Sequence, residues 1–344
     1  MDKQEHFVKN IEIKNFKCFD DFKAEGFGRV NLIGGKNNVG KTTLLEALYI
    51  NLNGTEKHYF LNSLFRIIQK RDNFFFDNNI LDKNMIEFYK ILFTIKSHTL
   101  KNYKSNEVNY ISSNHHQVNF EFKDTFTGLK INYQIDNKEC NENIAISLLK
   151  DIFRGRIKTE DNILFVKPIG LYNEKIIELF ANVQLADKEN KLNNFLNLFD
   201  NDIREFKIIN QEPKVYSKNL KDYISLTQLG DGIKSLINIF ISIYSVKDGY
   251  LFIDEIESGI HYTKLDELWK LILNISKEQS VQIFATTHSK ECIESYARVS
   301  KELKDEDITF IELGKNKKDE LKAMIYSYEW LIDEIEQNHE VRGW

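Results

Sequence analysis

Ile11 and Ile13 alternate with charged neighbours, and Arg29-Val30-Asn31-Leu32-Ile33 reads as a short buried run ending at Gly34-Gly35, so residues 7–33 read as two strands. Thr42-Thr43-Leu44-Leu45-Glu46-Ala47-Leu48 follows the glycines as the start of a helix. Val118, Phe120 and Phe122 alternate, as do Leu129, Ile131, Tyr133 and Ile135, with Asp124-Thr125-Phe126-Thr127-Gly128 between them. That is a β-hairpin pattern. A helix is expected next, from about Asn143 to Phe153. From Asn173 to Arg204 the apolar spacing is helical, with Leu192, Phe195, Leu196 and Phe199 on one face. Strands return at Tyr250–Ile253 and Val281–Ala285 around the helical run Thr263–Ile275, a βαβ unit that predicts a parallel sheet.

Composition narrows the class. With 344 residues, 42% hydrophobic and 29% charged, the chain is an ordinary globular protein with room for about two domains. Forty-seven Lys and Arg against 52 Asp and Glu leave a net charge of −5, which argues against a surface coated for unspecific phosphate binding but leaves room for one local basic groove. Cys18, Cys140 and Cys292 form no CxxC, so neither a disulfide framework nor a structural zinc is expected. The first six residues are charged where a secretory signal needs an apolar core. The longest apolar stretch, Leu236 to Tyr244, is broken by Asn238 and Ser242 and is too short to span a bilayer. A cytoplasmic location without membrane contact is the expectation. Only Pro168 and Pro213 interrupt the second half, which argues against a flexible interdomain linker.

Five segments carry chemistry. Gly35-Lys36-Asn37-Asn38-Val39-Gly40-Lys41-Thr42, between a strand and a helix, is a complete phosphate-loop pattern. Its amides and the helix dipole would cradle phosphates through Gly35, Asn37, Asn38, Gly40 and Thr43. Lys41 supplies a charge for the β- and γ-phosphates, and the Thr42 hydroxyl a ligand for Mg²⁺. The apolar strand Tyr250–Ile253 ends in Asp254-Glu255, two carboxylates at a strand tip that a bound metal would justify. Asp254 would hold Mg²⁺ through water and Glu255 would polarise the attacking water. Gln282-Ile283-Phe284-Ala285-Thr286-Thr287-His288 delivers His288 from the next strand tip as a sensor of the γ-phosphate. Thr227-Gln228-Leu229-Gly230-Asp231-Gly232 opens a further helix ahead of the acidic strand. Glu257-Ser258-Gly259-Ile260-His261 follows that strand; His261 either touches nucleotide across an interface or packs locally.

The order and wording of these segments resemble the SMC/RecF-like branch of the ABC ATPases. More narrowly, the chain resembles the ATPases related to the overcoming-lysogenisation-defect (OLD) nucleases and the ATPase subunits of split ATPase–Toprim phage-defence systems. "NLIGGKNNVGKTTLLEAL", "LGDGIKSLINIF", "FIDEIESGIHY" and "QIFATTHSKECIESYA" carry the likeness. RecA-like and AAA+ motors have no glycine loop ahead of the acidic strand, whereas cassette proteins present one to the γ-phosphate held by a second subunit. The resemblance implies an α/β fold: an ABC ATPase (P-loop) head from residues 1–50 and 160–300 with a helical lobe, an inserted antiparallel β region at 51–159, and a C-terminal strand-helix segment at 301–344. It also implies ATP and Mg²⁺ as cofactors, with Gln228, Gly230, Asp231 and Gly232 acting across an ATP-sandwiched homodimer or higher oligomer. The sequence departs from the pattern at one place. Gln228 stands where many cassette proteins carry serine, with the Thr227 hydroxyl one position earlier.

Two function classes follow. In the first, the chain switches a separately encoded effector, a Toprim nuclease, since the segment after His288 is too short to hold that domain. In the second, it acts on DNA directly, as RecF-like repair proteins do. A transporter ATPase is a distant third. Asp305-Glu306-Asp307 mimics the paired acids of a nuclease but precedes the strand Ile308–Ile311, whereas a metal pair belongs at a strand's end. His115-His116 sits in a polar, turn-like segment and is expected to be exposed. Tyr326, Tyr328, Trp330 and Trp344 are either anchors for the effector or part of the chain's own core.

Overall fold

The computed structural model describes residues 6–71, 108–125, 128–143, 162–168 and 170–337. Its centre is a six-stranded sheet in the order β15-β14-β3-β13-β12-β8. The strands are β3 (Val30–Gly35), β8 (Ile163–Val166), β12 (Tyr250–Ile253), β13 (Gln282–Thr286), β14 (Ile308–Lys315) and β15 (Leu321–Tyr326). All neighbours are parallel except β15, which runs antiparallel to β14 at one edge. Parallel strands covered on both faces read as continuous apolar runs, which is why Tyr250–Ile253 shows no alternation in the sequence.

The two faces of each strand enter different cores. Val30, Leu32, Leu251, Ile253, Ile283 and Ala285 pack on one side, against a helical lobe. That lobe comprises α3 (Asn173–Leu185), α4 (Glu189–Phe199), α5 (Asp231–Ser245), α6 (Leu265–Gln279), α7 (Lys290–Leu303) and α8 (Tyr328–Glu336). Ile33, Phe252, Phe284, Ile311 and Leu313 face the other way, toward α1 (Lys41–Leu52), α2 (Lys57–Arg71) and a second, antiparallel sheet. That sheet has the order β2-β1-β4-β5-β6-β7. Its strands are β1 (Asn10–Phe16), β2 (Phe19–Glu25), β4 (Asn109–Ser113), β5 (Gln117–Thr125), β6 (Gly128–Ile135) and β7 (Lys138–Asn143). The hairpin expected around Asp124–Gly128 is β5 and β6, and its strands extend the sheet begun by β1 and β2.

Several expectations need correction. Residues 7–33 hold three strands; the unforeseen one, β2, buries Phe19, Phe22 and Ala24 at a spacing that breaks strict alternation. The helical reading of Asn173–Arg204 ends early. The chain leaves the helix at Asp200, and Ile203–Ile209 is β9 of a separate three-stranded sheet with β10 (Glu212–Ser217) and β11 (Asp222–Ser225). Ile203 and Phe206 are both buried there, a three-residue spacing that imitates a helix face. The helix expected at Asn143–Phe153 lies outside the described residues, apart from Asn143, which closes β7. His115 and His116 are half-buried rather than exposed, with His116 Nδ1 2.8 Å from Asp136.

Asp305 and Asp307 are structural, both facing Arg29. Asp305 is buried and pairs with the guanidinium of Arg29, which also donates to the Leu273 carbonyl at 3.2 Å. The Arg29 amide donates to Asp307 at 3.0 Å. Among the described residues no group of three or more His, Cys, Asp or Glu could hold a metal ion, and no helix is long and apolar enough to cross a membrane.

Candidate active site

β3 feeds the phosphate loop directly into α1. Gly35 lies opposite Leu313 of β14, and a Cβ there would meet the Leu313 carbonyl oxygen at 2.3 Å, at a φ of +131°. Gly40 caps α1 with φ +94°, and a Cβ on it would meet Cys18 Sγ at 2.7 Å. Both positions therefore demand glycine. Asn38 between them also has a positive φ, of 62°. The first turn of α1 holds no acid, so its dipole is left for an external anion. The Lys41 ammonium lies under the loop and donates to the carbonyls of Gly35 and Lys36 at 2.8 and 2.9 Å. Burial lowers its pKa from the usual lysine value, and the charges of Glu257, Asp254 and Glu255 oppose that shift, in that order of strength.

The tips of β12 and β13 face this loop. The Thr42 hydroxyl donates to Asp254 at 3.0 and 3.2 Å. Thr286 donates to Asp254 Oδ1 at 2.7 Å and accepts from the Glu255 amide at 2.8 Å, so one hydroxyl fixes both acids. Glu255 has a left-handed backbone, φ 52°, a strain of the order of 1 kcal/mol for a residue with a side chain. Its carboxylate is exposed, with Oε1 3.8 Å from His288 Nε2.

The second group gathers at the start of α5. Ser225–Gln228 form a capped turn in which the Gln228 side chain accepts from the Ser225 amide at 3.1 Å, while the Thr227 and Ser225 hydroxyls lie 2.9 Å apart. Thr227 and Gln228 are thus engaged inside the turn. Gly230 is exposed, with nothing within 4 Å of a Cβ placed on it. Asp231, in the first turn of α5, lies 3.1 Å from Lys234. Gly232 meets the Gly259 carbonyl oxygen, which would lie 2.9 Å from its Cβ, and Ser235 donates to the Ser258 carbonyl at 2.9 Å. The start of α5 therefore rests on the turn that follows Glu255. His261 is exposed and caps the next helical turn, with Nδ1 2.9 Å from the Thr263 hydroxyl.

Residues 30–294 match the family model described as "AAA domain, putative AbiEii toxin, Type IV TA system". The chain belongs to this family. Among relatives of this chain, an "ATP/GTP phosphatase" of Helicobacter pylori is 26% identical over 333 residues, covering 86% of this chain and 89% of the relative. An uncharacterised protein of Methanocaldococcus jannaschii is 28% identical over 144 residues, 42% of this chain and 54% of the relative. Among solved structures, an SMC head bound to the C-winged helix domain of ScpA superposes with a TM-score of 0.50 at 13% identity, covering 93% of this chain and 98% of that one. The Pyrococcus furiosus SMC head with an extended coiled coil gives 0.50 at 12%, covering 96% and 99%. The fold is that of an ABC-type P-loop head, and the family makes the chain an ATPase.

The oxygen donors of this AbiEii-type site suit Mg²⁺, which binds through a few protein oxygens and otherwise through water and phosphate. The Thr42 hydroxyl and the Asp254 carboxylate, already in contact, are the residues that would hold it. Sequence reasoning missed Thr286, although a hydroxyl residue ending β13 beside two acids was a usable signal. It also passed over Glu257, which accepts from the His288 amide at 2.7 Å.

Proposed function

We propose that this AbiEii-type ATPase closes as a pair around ATP and Mg²⁺, hydrolyses the nucleotide, and through that closure controls a separately encoded effector, a Toprim-type nuclease of bacterial anti-phage defence. One observation carries the reading. Lys41, Thr42, Asp254, Glu255 and His288 converge on the phosphate loop, while Gly230, at the start of a 15-residue helix, is exposed with open space around it. The open space at Gly230, just ahead of that helix, suits a phosphate supplied from outside, here the nucleotide on a second copy.

Each residue then has a task. The loop amides and Lys41 hold the β- and γ-phosphates. Mg²⁺, when bound, neutralises charge on those phosphates. Glu255 takes a proton from the attacking water, and His288 beside it contacts a γ-phosphate oxygen. Gly230 and the dipole of α5 stabilise the same phosphate from the opposite copy.

An effector gives that closure an output. The family description names a type IV TA system, which suits a chain that works with a second gene product, and the SMC head solved with a ScpA domain is a related fold that carries a protein partner. Tyr326 is no anchor for the effector, because it is buried against Phe310 and Trp330. Of the other three aromatics, Trp344 lies outside the described residues, Tyr328 is half-buried, and Trp330, 42% exposed on α8, is available for docking. The chain purified alone should hydrolyse ATP without cutting DNA, and the product of the adjacent gene should bind it and add nucleotide-dependent cleavage. DNA cleavage by the chain alone, unaffected by Lys41→Ala, would overturn the effector reading.

A further inference from the structure

We propose that Glu257 is a positioning residue, holding His288 at its working separation from Glu255. The inference rests on the reading of Glu255 and His288 as hydrolytic groups. His288 lies in the short link between β13 and α7, where three successive amides are tied down. The Thr287 amide donates to the Ile33 carbonyl at 3.0 Å, linking it to β3. The Ser289 amide donates to the Thr287 hydroxyl at 3.1 Å, and Ser289 caps α7 through the Cys292 amide at 3.1 Å. The His288 amide donates to Glu257 Oε1 at 2.7 Å, which joins this link to the turn after the acidic strand.

That turn is itself rigid. The Ser258 amide donates to the Glu255 carbonyl and the Ile260 amide to the Glu257 carbonyl, both at 2.9 Å. Glu257 is therefore fixed relative to Glu255 on one side and to the His288 backbone on the other. The 3.8 Å between Glu255 and His288 is the distance this bracket sets. The other carboxylate oxygen, Oε2, is buried and has no hydrogen-bond partner among the described residues. A half-satisfied carboxylate there opposes folding, so stability does not account for it. Its charge also supports the protonated form of Lys41, and the test must separate that effect from the hydrogen bond.

The full-length chain is assayed for phosphate release and for affinity toward a fluorescent ATP analogue. Glu257→Ala should lower kcat by about tenfold or more, with nucleotide affinity changed by less than about threefold, because the transition state and not ground-state binding loses its alignment. Glu257→Gln, which keeps the acceptor and discards the charge, should rescue most of that loss. Combined with His288→Ala, the Glu257→Ala change should add almost nothing, as expected of groups acting through one another. If Glu257→Ala melts early, Glu257→Met fills the same space without an acceptor. A normal rate in Glu257→Ala beside a slow His288→Ala sinks the positioning role alone. A Gln variant as slow as Ala also sinks it, since charge would then be the cause. A normal rate in His288→Ala overturns the hydrolytic reading itself.

Discussion

The hydroxyl of Thr42 and the carboxylate of Asp254 meet at 3.0 Å, although 212 residues separate them in the chain. The contact joins the helix after the phosphate loop to the tip of β12, placing two oxygen ligands where one cation would sit. Thr42→Ala should raise the Mg²⁺ concentration needed for half-maximal hydrolysis by about tenfold or more, as expected when a ligand of a hard cation is lost. Nucleotide affinity measured in EDTA should change little. Phosphate release across a Mg²⁺ titration checks this; an unchanged midpoint removes Thr42 from the metal site.

Lys41→Ala should abolish ATP binding if the ammonium, which donates to the Gly35 and Lys36 carbonyls, is the charge that meets the phosphates, as proposed. Glu255→Gln should bind normally and turn over about 10²–10⁴-fold more slowly, the usual worth of a positioned general base. Binding and phosphate-release assays run in parallel distinguish the two. Hydrolysis at the normal rate by the Gln variant would exclude Glu255 as the base.

Because nothing lies within 4 Å of a Cβ on Gly230, a bulky residue there should fold normally. Gly230→Trp should keep ATP affinity in the isolated subunit and stop hydrolysis. Mixing it with Lys41→Ala subunits should restore one site per dimer. Mixed dimers that show no activity would count against catalysis across the pair.

Arg29 and Asp305 form a buried ion pair, with side chains 4% and 6% exposed. Asp305→Ala leaves the guanidinium buried and uncompensated, a cost of about 3–5 kcal/mol. Urea unfolding should show a lower midpoint with an unchanged slope, and ATP turnover below the transition should stay near normal. A loss of turnover in the fully folded variant would move these acids into the active site.

The parts of the fold that read directly from the sequence are those whose local pattern and tertiary role agree. Val30–Ile33 and Tyr250–Ile253 are buried on both faces, so each is a short buried run, apolar except for Asn31, ending in glycine or acid. β2 escaped notice because two exposed aspartates separate Phe19 from Phe22. The sheet of β9 to β11 is hard to see because charged residues, among them Arg204, Lys207 and Lys214, interrupt its few buried apolar positions, Ile203, Phe206 and Val215. Glu257 was legible as an acid but not as a bracket, since its partner is a backbone amide, which any residue at 288 other than proline would offer. Gln228 shows the same limit: its side chain closes a capping turn with Ser225.

The placement of β3 carries a consequence for how the chain is made. Val30 pairs with Ile283 on one side and with Ile308 on the other, so both neighbours of the loop-bearing strand come from the last quarter of the chain. At 5–20 residues per second, the ribosome takes on the order of tens of seconds to supply them. Throughout that interval both edges of β3 are bare, and Leu313, whose carbonyl lies against Gly35, does not yet exist. An unfinished molecule thus has the full phosphate-loop sequence but no walls to shape it, and its unpaired strand is a natural client for a chaperone. On the proposed reading, the phosphate loop takes its shape only after β13 and β14 have been made.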